Sequence, residues 1–170
     1  MTTSRSHVTL VLGGARSGKS RHAESLITAG PPPWVYVATA EPLDDEMTSR
    51  IAAHRARRGA GWRDLEAPRD LAGALAGLRD AVLVDCLTLW LSNLMLADAD
   101  IEAESARLED VLTRMAAPVV LVSNEVGSGI VPDNALARRF RDAQGRLNQR
   151  IAARADRVVL MVAGLPLVVK

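Results

Sequence analysis

The sequence predicts an α/β fold in which a mostly parallel sheet is covered by helices on both faces. Short β-branched runs alternate with helical stretches, an order typical of βαβ units. A glycine-rich segment directly follows the first apolar run, as in folds that bind phosphates at a strand end. Polar residues also follow later strands, and the carboxyl ends of parallel strands meet at one edge, where ligands bind.

The first half of the chain is predicted from its apolar runs and its helix-breaking residues. An apolar strand over residues 8–12 leads into a glycine-rich loop, and a helix follows over 19–29 until glycine and three prolines end it. A second strand, over 34–40, precedes an arginine-rich helix over 47–58, whose start is favoured by acidic residues just before it. Residues 62–68 are then expected to form a loop.

The second half continues the alternation of helices and strands. The predicted elements are helices over 70–78, 87–96, 101–115 and 134–154, and strands over 81–85, 118–123, 157–162 and 167–169. A length of 170 residues suits one folded core. We therefore expect a single domain over residues 1–170, in which residues 1–6 are a flexible leader.

The most specific motif is the segment after the first strand, which has the phosphate-loop pattern G-x-x-x-x-G-K-[ST]. Its residues are Gly13, Gly14, Ala15, Arg16, Ser17, Gly18, Lys19 and Ser20. Glycines let backbone N–H groups point at phosphates, Lys19 brings positive charge to the β and γ oxygens, and Ser20 can hold Mg²⁺. A plain glycine-rich turn before a helix is the alternative, but such a turn does not require two glycines, a lysine and a serine at this spacing after an apolar strand. Together with the alternating strands and helices, the motif leads us to expect a single P-loop NTPase domain with a mostly parallel, RecA-like sheet.

Asp85 ends the predicted strand over 81–85 and is a candidate ligand for magnesium. In P-loop enzymes an acid at such a strand end holds the nucleotide's Mg²⁺, directly or through water. The alternative is that this carboxylate only caps the next helix. The phosphate loop in the same domain favours the metal role for Asp85.

The segment RIAAHRARR, residues 50–58, places one histidine among four arginines. A charge run of this kind usually faces water, and composition alone favours that interpretation. The functional alternative is that the arginines bind phosphate oxygens while His54 attacks phosphorus as a nucleophile. His22 and His7 are weaker candidates, and the three histidines lack the spacing of a zinc site.

Charge and cysteine content exclude several classes of protein. The net charge is +1, from 21 basic and 20 acidic residues, so bulk attraction to nucleic acid is not expected. Cys86 is the only cysteine and has no partner for an internal disulfide. The N-terminal residues contain no apolar secretory core, and the apolar stretch over 158–169 is interrupted and too short to span a bilayer. We expect a cytoplasmic protein with no membrane span.

Four segments together resemble the bifunctional adenosylcobinamide kinase / adenosylcobinamide-phosphate guanylyltransferase family of cobalamin biosynthesis. They are GGARSGKSRHAE at 13–24, the stretch from LDDEM to RIAAH at 43–54, SNEVGSGIVP at 123–132, and LARRFRDAQGRLNQRIAARAD at 136–156. The resemblance runs nearly end to end. It implies phosphorylation of the aminopropanol hydroxyl of adenosylcobinamide by ATP or GTP, then transfer of GMP from GTP to that phosphate through a guanylyl-histidine.

The same resemblance assigns roles to individual residues. His54 matches the nucleophile, which reverses the preference for a solvated helix face. Besides residues 13–20, the positions implied for the nucleotide site are Ala38, Thr39, Ala40, Arg55, Ala56, Arg57, Arg58, Glu66 and Asp85. The chain departs from the family pattern at Ala53, where some members have a second histidine, and at Asp85, where glutamate is frequent. The resemblance also implies a homotrimer.

Two other functions compatible with a phosphate loop differ from this one in their chemistry. A simple small-molecule kinase would use the same loop and leave His54 inert. A RecA-like ATPase module would bind a macromolecule instead of modifying a metabolite, although the near-neutral charge disfavours a nucleic-acid motor.

Overall fold

The computed structural model describes residues 7–170 and has a seven-stranded sheet at its centre. The strands are β1 (Val8–Gly13), β2 (Trp34–Ala38), β3 (Trp62–Glu66), β4 (Ala81–Asp85), β5 (Val119–Asn124), β6 (Arg157–Val162) and β7 (Leu165–Val168). They lie in the order β3-β2-β4-β5-β1-β6-β7, and all neighbouring pairs are parallel except β6 and β7. The leader predicted for residues 1–6 lies outside the described residues.

Six helices connect these strands. They are α1 (Lys19–Thr28), α2 (Asp45–Arg57), α3 (Leu71–Leu75), α4 (Leu87–Leu96), α5 (Ile101–Arg114) and α6 (Ala135–Arg154). Short polar side chains start several of them by accepting a hydrogen bond from a first-turn N–H. Asp44 caps α2 in this way, accepting from the Met47 N–H at 2.7 Å, as the acidic residues before this helix led us to expect.

The sheet is buried on both faces because successive side chains of a strand point in opposite directions. Leu10 of β1 belongs to the larger core cluster, which includes residues of α3, α4, α5 and α6. The next residue, Val11, belongs to a smaller cluster on the other face, which includes Ala23 and Ile27 of α1. This arrangement confirms the predicted α/β class and its mostly parallel sheet.

The expectation of a loop over residues 62–68 is wrong, because Trp62–Glu66 forms the edge strand β3. It pairs with β2 in parallel register, from Trp34 opposite Trp62 to Ala38 opposite Glu66. The sequence WRDLE lacks the apolar run of a central strand. An edge strand tolerates charged residues because one of its sides is not covered by another strand, and this explains why the pattern did not reveal it.

The sheet ends in a hairpin that the sequence placed only approximately. We predicted a closing strand over 167–169, whereas β7 begins at Leu165 and runs antiparallel to β6. Ala163 and Gly164 make the turn with φ angles of 51° and 78°, as a two-residue hairpin loop requires. Among the helices of residues 7–170, none has the length and hydropathy needed to cross a membrane.

The central strand β5 should be a main contributor to stability. Leu121 of β5 is fully buried, whereas Leu96 at the end of α4 is 70% exposed. We expect Leu121→Ala to lower the free energy of unfolding by about 2–5 kcal/mol, because truncation leaves a cavity in the core. Leu96→Ala is the matched control and should change it by less than about 0.5 kcal/mol. Equal losses in denaturant titrations would contradict the assigned core.

Candidate active site

The phosphate loop connects β1 to α1 and is held by its own backbone and by the β6–β7 hairpin. Gly18 has a φ of 93°, a conformation that glycine adopts readily. The Ser17 carbonyl accepts a hydrogen bond from the Gly164 N–H at 3.1 Å. The Ser17 Oγ is buried and has no partner within the described part of the chain.

Lys19 begins α1 and is only 8% exposed. Its Nζ donates to the Gly14 carbonyl oxygen at 2.7 Å, so the ammonium lies against the loop that surrounds the phosphate position. Burial lowers the pKa of Lys19, while Cys86 and Asp85 oppose that shift. No described side chain caps α1, which leaves its first N–H groups for an anion.

A cleft of about 1030 Å³ opens above the carboxyl ends of the strands. It brings together eleven of the predicted site residues: Ala15, Arg16, Lys19, Ser20, Ala38, Ala40, His54, Arg55, Arg58, Glu66 and Asp85. The remaining loop residues, Gly13, Gly14, Ser17 and Gly18, do not line it. Thr39, Ala56 and Arg57 also lie outside its lining. The phosphate loop and the arginine-rich helix α2 therefore border the same space.

Three arginines of α2 have different environments. The Asp64 carboxylate of β3 accepts from Arg55 Nε at 2.8 Å and from an Arg58 terminal nitrogen at 2.6 Å. The Arg58 side chain is only 6% exposed, whereas Arg55 and Arg57 are more than half exposed. Arg57 pairs with Glu24 of α1 at 2.9 Å, away from the cleft lining. The expectation of a solvated helix face therefore fails at Arg58.

His54 lies on α2 and is half-buried. Its Nδ1 is buried and has no hydrogen-bond partner among residues 7–170. Two nitrogens of the neighbouring Arg58, Nε and one terminal nitrogen, are likewise buried without a partner in the described chain. Buried polar groups normally have partners, so these atoms are available to hydrogen-bond a polar ligand or water in the cleft.

Asp85 lies at the end of β4 and accepts a hydrogen bond from the Tyr36 hydroxyl at 3.0 Å. Burial, and then the neighbouring Asp85 charge, raise the pKa of Tyr36, so the phenol stays protonated and acts as the donor. Beside it, the Thr39 hydroxyl donates to the Cys86 carbonyl at 2.7 Å and accepts from the Cys86 N–H at 2.8 Å. The Thr39 side chain thus joins the end of β2 to the end of β4.

Sequence reasoning missed two residues that complete this arrangement, Tyr36 and Asp64. Tyr36 is the only tyrosine of the chain, but it lies inside an apolar strand, where an aromatic residue predicts core packing. Asp64 lies in the segment that we expected to be a loop. Asn124, the residue directly after the strand predicted over 118–123, lines the cleft, and its backbone pairs in register with Gly13.

The residues present suit a magnesium ion that accompanies a nucleotide. Ser20 and Asp85 line the same cleft and offer a hydroxyl and a carboxylate oxygen. Mg²⁺ prefers oxygen ligands and usually keeps several waters and substrate phosphates. Within residues 7–170 there is no group of three or more His, Cys, Asp or Glu side chains that could hold a metal ion. The donor set therefore fits a nucleotide-borne ion.

Gly13 is the position in the loop with the least space for a side chain. A Cβ there would overlap the Ser17 Oγ, and it would lie 3.0 Å from the Met161 carbonyl oxygen and 3.1 Å from Lys19 Cγ. We expect Gly13→Ala to lower the free energy of unfolding of the nucleotide-free protein by about 1–3 kcal/mol. A Cβ at Gly14 would meet nothing within 4 Å, so Gly14→Ala is the control. Similar losses in both variants would contradict this geometry.

Comparison with known proteins relates nearly the whole chain to one enzyme family. The model of a family described as cobinamide kinase / cobinamide phosphate guanyltransferase matches residues 9–169. The bifunctional adenosylcobalamin biosynthesis protein CobP of Pseudomonas aeruginosa is 49% identical over 166 residues, which cover 95% of this chain and 96% of that protein. The corresponding CobU protein of Salmonella typhimurium is 46% identical over 179 residues, with coverage of 95% and 98%.

Solved structures with low sequence identity share the fold. An ATPase of a bacterial type III secretion system has a TM-score of 0.55 at 11% identity, covering 92% of this chain and 51% of that one. The RadB recombinase has a TM-score of 0.52 at 17% identity, with coverage of 90% and 73%. These likenesses confirm the predicted RecA-like P-loop architecture and carry no information on substrate. The family match and the two relatives establish that this chain belongs to the cobinamide kinase / cobinamide phosphate guanyltransferase family, as its motifs predicted.

Proposed function

We propose that one domain over residues 1–170 performs two successive reactions in this cleft. The first phosphorylates the aminopropanol hydroxyl of adenosylcobinamide with ATP or GTP. The second transfers GMP from GTP to adenosylcobinamide phosphate and gives adenosylcobinamide-GDP. The observation that carries the proposal is that Lys19 and His54, the groups needed for the two steps, line one cleft although they lie on different helices.

In the kinase step the phosphate loop binds the triphosphate through its backbone N–H groups and the N-terminus of α1. Lys19 exchanges its bond to the Gly14 carbonyl for the β and γ oxygens, where charge accumulates as the γ-phosphoryl group leaves. The substrate hydroxyl oxygen bonds to the γ-phosphorus, and the nucleoside diphosphate departs. The protein contributes mainly position and positive charge.

In the guanylyl step a ring nitrogen of His54 attacks the α-phosphorus of GTP, and pyrophosphate leaves while the loop and Lys19 hold it. The product is a phosphoramidate between His54 and GMP. An oxygen of adenosylcobinamide phosphate then attacks the same phosphorus and releases the histidine. The unpartnered nitrogens of Arg58 supply donors for the charge on the α-phosphate.

Ser20 and Asp85 are the residues proposed to hold Mg²⁺, Asp85 directly or through water. When bound, the ion neutralises phosphate charge in both reactions. The nucleotide is proposed to contact the other assigned positions as well: Ala15, Arg16, Ala38, Thr39, Ala40, Arg55, Ala56, Arg57 and Glu66. Of these, Thr39, Ala56 and Arg57 lie outside the cleft lining and would require a shift of α2 or a backbone contact.

We also propose a cytoplasmic location and a homotrimer. Cys86 is a buried free thiol, and a free thiol is compatible with the reducing environment of the cytoplasm. The β7 side chains of Leu165, Leu167 and Val168 are each more than half exposed, which is compatible with an interface between subunits. Light scattering of the purified protein tests the trimer.

The nucleophile is tested by the fate of the α-phosphate. We expect wild-type protein incubated with α-labelled GTP to acquire acid-labile, alkali-stable label, as a phosphoramidate requires, and His54→Ala to acquire none. His7→Ala is the control, because His7 is exposed before β1 and should not affect labelling. Conversion of adenosylcobinamide to its phosphate should persist in His54→Ala. An unlabelled wild type that still phosphorylates adenosylcobinamide would instead establish a simple kinase.

Glu66 is proposed to recognise guanine. It ends β3, lines the cleft, and its side chain is 75% exposed. One carboxylate oxygen lies 3.8 Å from an Arg55 terminal nitrogen, too far for a hydrogen bond, so the carboxylate can accept from the N1–H and 2-amino groups of the base. We expect Glu66→Gln to weaken GTP binding about tenfold, because one charge-assisted acceptor is lost. ATP binding should change by less than about twofold. Equal effects on both nucleotides in equilibrium titrations would contradict this role.

A further inference from the structure

Tyr36 lies between the two groups of residues that the proposed reactions use. It occupies the middle of β2, is 6% exposed and lines the cleft. Its hydroxyl donates to Asp85 at 3.0 Å. Its ring centroid lies 3.6 Å from the central guanidinium carbon of Arg58. One side chain therefore contacts an acid at the end of β4 and an arginine at the end of α2.

The Tyr36 ring stabilises the guanidinium of Arg58, a cation that is almost completely buried. The Arg58 side chain is only 6% exposed. Asp64 accepts a hydrogen bond from only one of its three nitrogens. A desolvated cation above an aromatic face is stabilised more than a solvated one, because the negative face of the ring attracts it without competition from water. The ring thus lowers the cost of keeping two guanidinium nitrogens unpaired beside the cleft. Trp62 packs edge-on against Tyr36, with ring centroids 6.2 Å apart, and restricts the ring.

We propose that Tyr36 is a positioning residue for both reactions: its ring holds Arg58 for the α-phosphate, and its hydroxyl orients Asp85. Tyr36 itself does not touch the reacting atoms. This inference rests on the proposed function, since it assigns Arg58 to the guanylyl step and Asp85 to the metal. The roles of the Tyr36 ring and of its hydroxyl can be tested separately, because Tyr36→Phe removes the hydroxyl and leaves the ring in place.

The ring is tested by the rate at which His54 becomes labelled with GMP under single-turnover conditions. We expect Tyr36→Phe to stay within about threefold of wild type and Tyr36→Leu to be slower by about tenfold or more. The effect should appear in the maximal rate rather than in the GTP concentration needed for half-saturation. Equal slowing in the two variants would overturn the role of the ring.

A double-mutant cycle separates positioning from a general structural effect. If the ring acts through Arg58, adding Tyr36→Leu to Arg58→Lys should slow labelling much less than it does in wild type. Fully multiplicative effects would overturn the proposal. Phe140→Leu, which removes an aromatic ring of α6 that packs against the larger core cluster and does not line the cleft, should leave the rate within about twofold. Thermal melting confirms that each variant is folded.

The hydroxyl is tested by binding instead of turnover. In a His54→Ala background, GTP affinity is measured by equilibrium titration with Mg²⁺ and again with EDTA. We expect Tyr36→Phe to weaken affinity about three- to tenfold with Mg²⁺ and to leave it unchanged with EDTA. An unchanged Mg²⁺ dependence would overturn the role of the hydroxyl. Absence of label on wild-type protein would refute the proposed function itself, so the two failures are distinguishable.

Discussion

The structure depends on the parallel hydrogen-bond register of its four central strands. Because β2, β4, β5 and β1 run in the same direction, their carboxyl ends lie at one edge, although Asp85 at the end of β4 pairs with Val122, two residues before the end of β5. Gly13 lies opposite Asn124, and Ala38 lies opposite Asp85. A register slip of one residue in a strand would exchange the side chains that pack into the two core clusters, so packing on both faces of the sheet maintains the alignment of the candidate site residues.

Helix α2 is attached to this frame in a different way. None of its residues is fully buried, so apolar packing contributes little to its position. Its contacts are polar: Arg55 and Arg58 bind Asp64, and Arg57 binds Glu24. Exposed ion pairs contribute about 0–1 kcal/mol each, whereas the Arg58 contact is largely buried. The proposed nucleophile, His54, therefore lies on a helix that is held mainly by polar contacts and that borders the same cleft as the phosphate loop.

Much of the fold and part of the site could be predicted from local patterns. The phosphate loop, the strand ending at Asp85 and the alternation of strands and helices all depend on nearby residues, and the structure agrees with them. The edge strand β3 could not be recognised, because its polar sequence lacks the apolar pattern of a strand and its conformation depends on pairing with β2. Asp64 was missed with it. Tyr36 was missed because a tyrosine in an apolar strand has the same pattern whether or not its hydroxyl serves a site.

By itself the sequence determined the phosphate loop and the family of this protein, because glycine conformations, the lysine and the long motifs are properties of contiguous residues. Only the tertiary structure decided which arginine is desolvated and what it contacts. Arg55, Arg57 and Arg58 are chemically equivalent along the chain, yet only Arg58 lies above Tyr36 and deep beside the cleft. That difference arises because Tyr36 of β2 and Asp64 of β3 contact Arg58. The burial of a charge depends on what surrounds it in space, and adjacent residues in the sequence do not reveal it.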